Sequence, residues 1–294
     1  MRMIMHHHKR RASRTHLSSR LVALALCAAL LWSFAACVAL AEETDTFNLL
    51  LIGEDAAGNN ENGRSDAMLL AQITPESGDV KLVSFLRDLY VPVKGHGQTR
   101  LNAAYFHGGE ELLKQTLTEC FDVRIDRTLA VDFDTMADLI DQIGGVEVEL
   151  TPEERKELNR TLPAGEKLSE EDPVTLNGAL ALQFSRIRKL DSDFGRVGRQ
   201  QQVLVGMLKR LTTLDGFTLM RLAVQNISRV KTDLALGDLF ELLPILSREG
   251  GLRLRSTRVP FDDTCRDVQV NGMWVLDCDL PANTRMLREF LAAP

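Results

Sequence analysis

The sequence predicts an α/β sandwich formed by one domain, and three observations carry that prediction. Short apolar runs close at glycine or at charged residues, as interior strands do. Apolar stripes of helical period alternate with those runs. The 294 residues are 45% hydrophobic and 26% charged, which is enough apolar matter for a sizeable core.

The elements follow in chain order. Phe47–Ile52, closed by Gly53, reads as a buried strand. "GNNENGRSD" is a polar loop, and "AMLLAQITPESGDVKLVSFLRD" reads as a strand, a Pro/Gly-containing turn and a second strand. "GGEELLKQTLTECF" has an amphipathic helical pattern with glycines before it. "DRTLAVDFDTMADLIDQIGGVEVELT" gives a strand, a helix stopped at Gly144-Gly145, and another strand. Residues 152–175 are a polar, proline-containing excursion. "DFGRVGRQQQVLVGMLKRL" is a helix whose stripe is Val197, Leu204, Val205, Leu208 and Leu211, with Asp191, Ser192 or Asp193 available to cap it. A helix near 237–248 and further strands complete the domain.

The first 41 residues differ from the rest. Residues 1–20 carry six basic residues and no acid, and residues 21–41 are an uncharged apolar run of 21 residues. That length suits a transmembrane helix, and the basic flank places residues 42–294 outside the cytoplasm. The expectation is a cytoplasmic segment (1–20), a single-pass anchor in the cell membrane (21–41) and an extracytoplasmic domain (42–294). A cleavable signal ending at Ala39-Leu40-Ala41 is the alternative.

Removing those six from the 35 basic residues leaves 29 against 41 acidic residues, a net charge of −12 for the exported part. Such a surface repels nucleic acid, whose binding depends on neutralising phosphates. Cys265 and Cys278 bracket a predicted hairpin turning at Asn271-Gly272. An exported compartment permits a disulfide between them, and two free thiols are the alternative.

Within this acidic domain, Arg186, Arg188, Lys189, Arg196 and Arg199 crowd into one passage. If extended, Arg186 and Arg188 share a face, while Arg196 and Gln200 share a face of the helix that follows. Arginine at a helix start opposes the dipole, which a bound anion there would relieve. Asp55 follows the first strand, Asp66 precedes the second, and Arg87-Asp88 follow the third. Carboxylates and guanidinium groups at adjacent strand ends suit a Mg²⁺–phosphate site. Mutual pairing across a solvated edge is the competing account.

The motifs "LLLIGEDAAG…GRSDAMLLAQI", "VSFLRDLYV", "TRLNAAYFHGGEELL", "DLIDQIGGVEVEL", "LNGALALQFSRIRKLDSDFGRVGRQQQVL" and "VKTDLALGDL" occur in this order. Together, over about residues 47–262, they resemble the LytR-CpsA-Psr family of bacterial cell-envelope proteins. The resemblance implies a three-layer α-β-α sandwich with a central mixed sheet and a long apolar pocket holding a polyprenyl pyrophosphate. It implies transfer of a phospho-glycopolymer, such as teichoic acid or capsule, from that carrier to peptidoglycan. By motif, Asp55 and Asp66 would associate with Mg²⁺, and Arg87, Arg100, Arg186, Arg188, Arg196 and Gln200 would surround the pyrophosphate. Arg87, Arg186 and Arg188 would act in catalysis. Asp88 would assist deprotonation of the acceptor or orient Arg87. The chain departs from the family where Gly53-Glu54-Asp55-Ala56-Ala57 replaces Gly-Thr-Asp and a following arginine, a loss for which Arg64 could compensate. Two rival activities use the same site: a pyrophosphatase passing the phosphoryl group to water, and a lipid-binding envelope regulator without turnover.

Overall fold

A computed structural model describes residues 46–55, 63–190, 193–235, 237, 238, 242, 245 and 252–293. The leader and its anchor or signal lie outside them, as does most of the helix expected near 237–248. Among the described residues, no helix is long and apolar enough to cross a membrane.

The central sheet is built from β1 (Phe47–Asp55), β2 (Arg64–Thr74), β3 (Asp79–Phe85), β6 (Arg127–Asp132), β9 (Lys231–Thr232) and β10 (Arg253–Val259), in the order β10-β3-β2-β1-β6-β9. It is mixed: β1–β2, β2–β3 and β6–β9 pair antiparallel, whereas β1–β6 and β3–β10 pair parallel. Three two-stranded ribbons stand apart: β4 (Tyr90–Val93) with β5 (Gly97–Arg100), β7 (Val146–Val148) with β8 (Val174–Leu176), and β11 (Cys265–Val270) with β12 (Met273–Cys278).

The strands read as unbroken apolar runs because both sheet faces are covered. Leu50, Ile52, Met68, Leu70, Val83 and Phe85 face one side and pack with α1 (Leu101–Phe121) and α7 (Leu280–Ala292). Their neighbours Leu49, Leu69, Ala71, Val80 and Leu82 face the other side, toward Leu204, Val205 and Leu208 of α5 (Asp193–Leu211). Full burial of each such side chain is worth roughly 1.5–3 kcal/mol. A second core joins α2 (Phe133–Gln142), α3 (Pro152–Asn159), α4 (Gly178–Ser185) and α5 around the β7–β8 ribbon. Helices on both faces of one mixed sheet make the three-layer sandwich. α6 (Gly216–Asn226) follows α5.

Several boundaries differ from expectation. Gly108-Gly109 kink α1 rather than precede it, and the helix begins at Leu101 because Leu101, Ala104 and Tyr105 are buried against the sheet. Gly109 has φ 61°, which glycine adopts without steric cost. The polar excursion contains α3, started by a Thr151/Glu154 capping box. Asp66 lies inside β2 rather than before it.

Candidate functional site

Each site segment is aimed by ordinary local chemistry. Asp55 ends β1 and pairs in register with Arg64 at the start of β2, which places Asp55 and Asp66 at the same end of adjacent strands. Arg87 follows β3 at that end, and its Nη1 donates to Asp66 Oδ1 at 2.7 Å. Asn177 caps α4, accepting from the Leu180 N–H at 2.9 Å. Gly178 lets α4 approach α2 closely, because a Cβ there would meet the Ala137 carbonyl oxygen at 2.0 Å. α4 ends at Arg186, whose N–H donates to the Gln183 carbonyl at 3.2 Å.

Just past α4, Arg186 and Arg188 are exposed and Ile187 is buried between them. Arg186 is in a turn rather than extended, with φ −103° and ψ 1°, so the two arginines come to one pocket around the buried Ile187 and not as alternate residues of a strand. Arg186 also lies over the Phe133 ring, 4.0 Å from its centroid, which fixes the guanidinium plane. α5 spans the residues its periodicity predicted and carries Arg196 and Gln200 one turn apart. Two of its three capping candidates, Asp191 and Ser192, lie outside the described residues, and nothing is described of the Asp193 side chain.

These pieces meet in one place. Asp55, Asp66, Arg186, Arg188, Arg196, Gln200 and Phe133 line a polar pocket of about 260 Å³. Asp66, Phe133, Arg196 and Gln200 also line the mouth of an apolar cavity of about 380 Å³, together with Arg87. That cavity runs between the sheet and the α2–α4–α5 layer, past Leu49, Leu69, Ala181, Val203, Leu204 and Leu208. The result is a greasy interior opening at a charged mouth, where four guanidinium groups, of Arg87, Arg186, Arg188 and Arg196, accompany two carboxylates. The balance favours an anion, and guanidinium forks match phosphate oxygens bidentately.

Asp88 and Arg100 are placed differently from the other predicted residues. Neither lines the polar pocket or the apolar cavity. Asp88 Oδ2 accepts from Arg87 Nε at 3.3 Å, and its Oδ1 pairs with Arg100 Nε at 3.2 Å. Arg100 Nε also donates to the Trp274 carbonyl at 2.9 Å, on the β11–β12 hairpin. A chain of alternating charge thus runs Asp66–Arg87–Asp88–Arg100 and backs onto that hairpin.

Sequence reasoning missed Phe133, which lines both cavities. Its signal was its place directly after β6, a strand parallel to β1 whose end converges on the same edge. The departing residue Glu54 turns away from the pocket. Its Oε2 accepts from Tyr105 Oη at 2.8 Å and Lys231 Nζ at 3.0 Å, tying β1 to α1 and β9. Burial, and after it that carboxylate, push the Tyr105 phenol up. Arg64 stands over the Phe106 ring at 5.8 Å.

Among the described residues, no group of three or more His, Cys, Asp or Glu could hold a metal. Asp55 and Asp66 supply two carboxylates to one pocket, and Asp66 already binds Arg87. This donor set fits Mg²⁺ only when phosphate and water complete its shell, which is how Mg²⁺ is commonly held.

The chain is 30% identical over 210 residues to the polyisoprenyl-teichoic acid–peptidoglycan teichoic acid transferase TagV of Bacillus subtilis (strain 168), covering 68% of this chain and 53% of that protein. It is 31% identical over 206 residues to the transferase TagU of Bacillus cereus (strain AH820), covering 68% and 64%. It thus spans between half and two thirds of the length of these relatives. Among solved structures, TagT bound to LIIa-WTA has a TM-score of 0.68 at 26% identity, covering 85% of this chain and 92% of that one. Crystalline B. subtilis TagV has a TM-score of 0.67 at 25% identity, covering 86% and 99%. The family model described as LytR_cpsA_psr matches residues 7–290, so the likeness extends well beyond the motif-bearing segments. The ordered motifs, the mixed sandwich and this near-complete match agree: the chain belongs to the LytR_cpsA_psr family.

Proposed function

We propose that this protein transfers a phospho-glycopolymer from a polyprenyl-pyrophosphate carrier to peptidoglycan at the outer face of the cell membrane. One observation carries the reading: an apolar cavity opens directly at an arginine-rich polar pocket, and four residues belong to both. A prenyl chain in the cavity would place its pyrophosphate among Arg186, Arg188, Arg196 and Gln200. The names of TagV and TagU, polyisoprenyl-teichoic acid transferases, support the same donor and acceptor classes. The apolar run at residues 21–41 supports a single-pass anchor that keeps the domain beside its lipid substrate.

In this reading an acceptor hydroxyl attacks the phosphorus nearer the sugar. A new P–O bond forms, the bond to the bridging oxygen breaks, and prenyl phosphate leaves carrying the proton given up by the acceptor hydroxyl. Such chemistry needs positioning and charge neutralisation more than covalent catalysis. Arg87, Arg186, Arg188 and Arg196 would stabilise charge growing on the phosphate oxygens. Asp88, between Arg87 and Arg100, orients Arg87. Mg²⁺ held by Asp55 and Asp66 would supply further charge neutralisation at the phosphates.

The test is product analysis with a purified lipid-linked donor, with and without peptidoglycan oligomers. A polymer–peptidoglycan conjugate that vanishes in Arg186→Ala and Arg188→Ala supports the proposal. Free polymer phosphate without conjugate would identify a hydrolase instead, and absence of turnover with retained lipid would leave a lipid-binding regulator.

A further inference from the structure

Arg199 lines neither the apolar cavity nor the polar pocket at the site, yet its side chain is 2% exposed. Sequence alone gave it no role beyond surface or packing. It sits on α5 three residues after Arg196, and its fork reaches both Glu154 and the Ile187 carbonyl. Nη1 donates to Glu154 Oε1 at 3.0 Å, and Nη2 donates to the Ile187 carbonyl at 2.7 Å. Glu154 is itself buried, and its second oxygen accepts from the Thr151 N–H at 2.9 Å in the α3 capping box.

Ile187 is the residue between Arg186 and Arg188. Those two arginines carry like charge, are both exposed, and converge on one pocket. Coulomb repulsion acts to splay them whenever no anion is bound. Their backbone leaves α4 through one turn, in which the Arg186 N–H donates to the Gln183 carbonyl at 3.2 Å and the Ile187 N–H to the Phe184 carbonyl at 3.3 Å. A charge-assisted bond to the intervening carbonyl, made away from water, is strong and directional. The buried Ile187 side chain supplies the second anchor. Glu154 gives Arg199 a buried counter-charge, and it locks the guanidinium plane through a helix start that is itself fixed.

We propose that Arg199 and Glu154 are a positioning pair that sets the direction of Arg186 and Arg188 through the Ile187 carbonyl. This rests on the reading that those two arginines bind pyrophosphate. Neither member of the pair touches the ligand; they pre-organise the groups that do.

The experiment compares affinities of the full chain for farnesyl pyrophosphate and for farnesol, which lacks the phosphates. Two variants are used. Arg199→Lys keeps the charge but cannot reach both acceptors as a fork. The double variant Glu154→Met/Arg199→Met removes both charges of the pair together. Both are expected to melt cooperatively and bind farnesol as the parent does, while losing roughly 10- to 100-fold in farnesyl pyrophosphate affinity. A folded variant whose pyrophosphate affinity is unchanged overturns the proposal. So does parallel loss of farnesol and farnesyl pyrophosphate binding, or failure of both variants to fold, since either assigns the pair to general stability. Arg186→Ala is the control: if it too keeps full affinity, the reading of the pocket itself fails. If it alone loses affinity, only the positioning role fails.

Discussion

Arg87 and Asp66 are joined at 2.7 Å across the ends of β3 and β2, where the apolar cavity meets the polar pocket. Both side chains are 20% exposed, so the pair is reachable by a ligand and shielded from bulk water. The other edge of Arg87 is held by Asp88 at 3.3 Å, which leaves the guanidinium little freedom to turn away.

That clamp makes Arg87 the residue whose loss most directly exposes charge at the mouth. Arg87→Ala is expected to lower the turnover number for transfer by about 10²–10³, the usual cost of one charge-stabilising donor. Asp88→Asn keeps an acceptor for Arg87 Nε and should lose much less. Steady-state kinetics on a lipid-linked donor, with melting curves as the fold control, separate the two.

Leu204 lies partly buried on the cavity wall. Leu204→Trp adds bulk to open space rather than to a packed interior, so its stability cost should stay at or below the ~1–3 kcal/mol of overpacking. Binding of a long prenyl pyrophosphate should fall at least tenfold while binding of inorganic pyrophosphate is kept. Equal loss of both ligands in calorimetric titrations would show that the cavity does not seat the chain.

Cys265 and Cys278 face each other in register, and the hairpin turns at Asn271 and Gly272, both with positive φ. The Asp279 N–H donates to the Thr264 carbonyl at 2.9 Å, so the adjacent cysteine pair occupies a non-hydrogen-bonded position, where facing Cα atoms come closest. Both thiols are free here. Burial pushes both thiols up, so oxidation by a disulfide reagent is expected to be slow near neutral pH and to speed up as pH rises. Intact mass after treatment with oxidised glutathione should fall by two hydrogens, with Cys120 still alkylatable on unfolding. A mixed disulfide that persists on Cys265 would contradict this geometry.

Cys120 supplies a pH dependence with a definite sign. Burial pushes its thiol from 9.0 up to about 11, with a smaller push from Glu119. The unfolded chain therefore releases this proton before the folded chain does. The contribution is complete below pH 9 and is lost as pH rises toward about 11. Urea midpoints should fall over that window, and Cys120→Ala should flatten the decline. An identical slope in the variant would remove Cys120 as its source.

Much of the fold was legible because local rules dictated it. Covered strands gave unbroken apolar runs, and the stripe from Val197 to Leu211 fixed α5 by periodicity. The kink in α1 was not legible, since glycine pairs more often end helices than bend them and only burial of Leu101 and Tyr105 carries the helix across. In the site, strand-end position pointed to Asp55, Asp66 and Arg87, while Arg186 and Arg188 reach one pocket from a turn that strand periodicity did not describe.

The sequence by itself determined the covered strands, the helices whose apolar stripes are regular, and which family the ordered motifs resemble. The tertiary structure alone decided which charges meet. Spacing along the chain cannot say that Arg186, just past α4, shares a pocket with Asp55 of β1, that Arg100 stands behind Asp88, or that Arg199 is buried against Glu154 and the Ile187 carbonyl. The physical reason is that period fixes a side chain's direction relative to its own element only. What lies in that direction depends on sheet order and on the close approach of α4 to α2 that Gly178 permits.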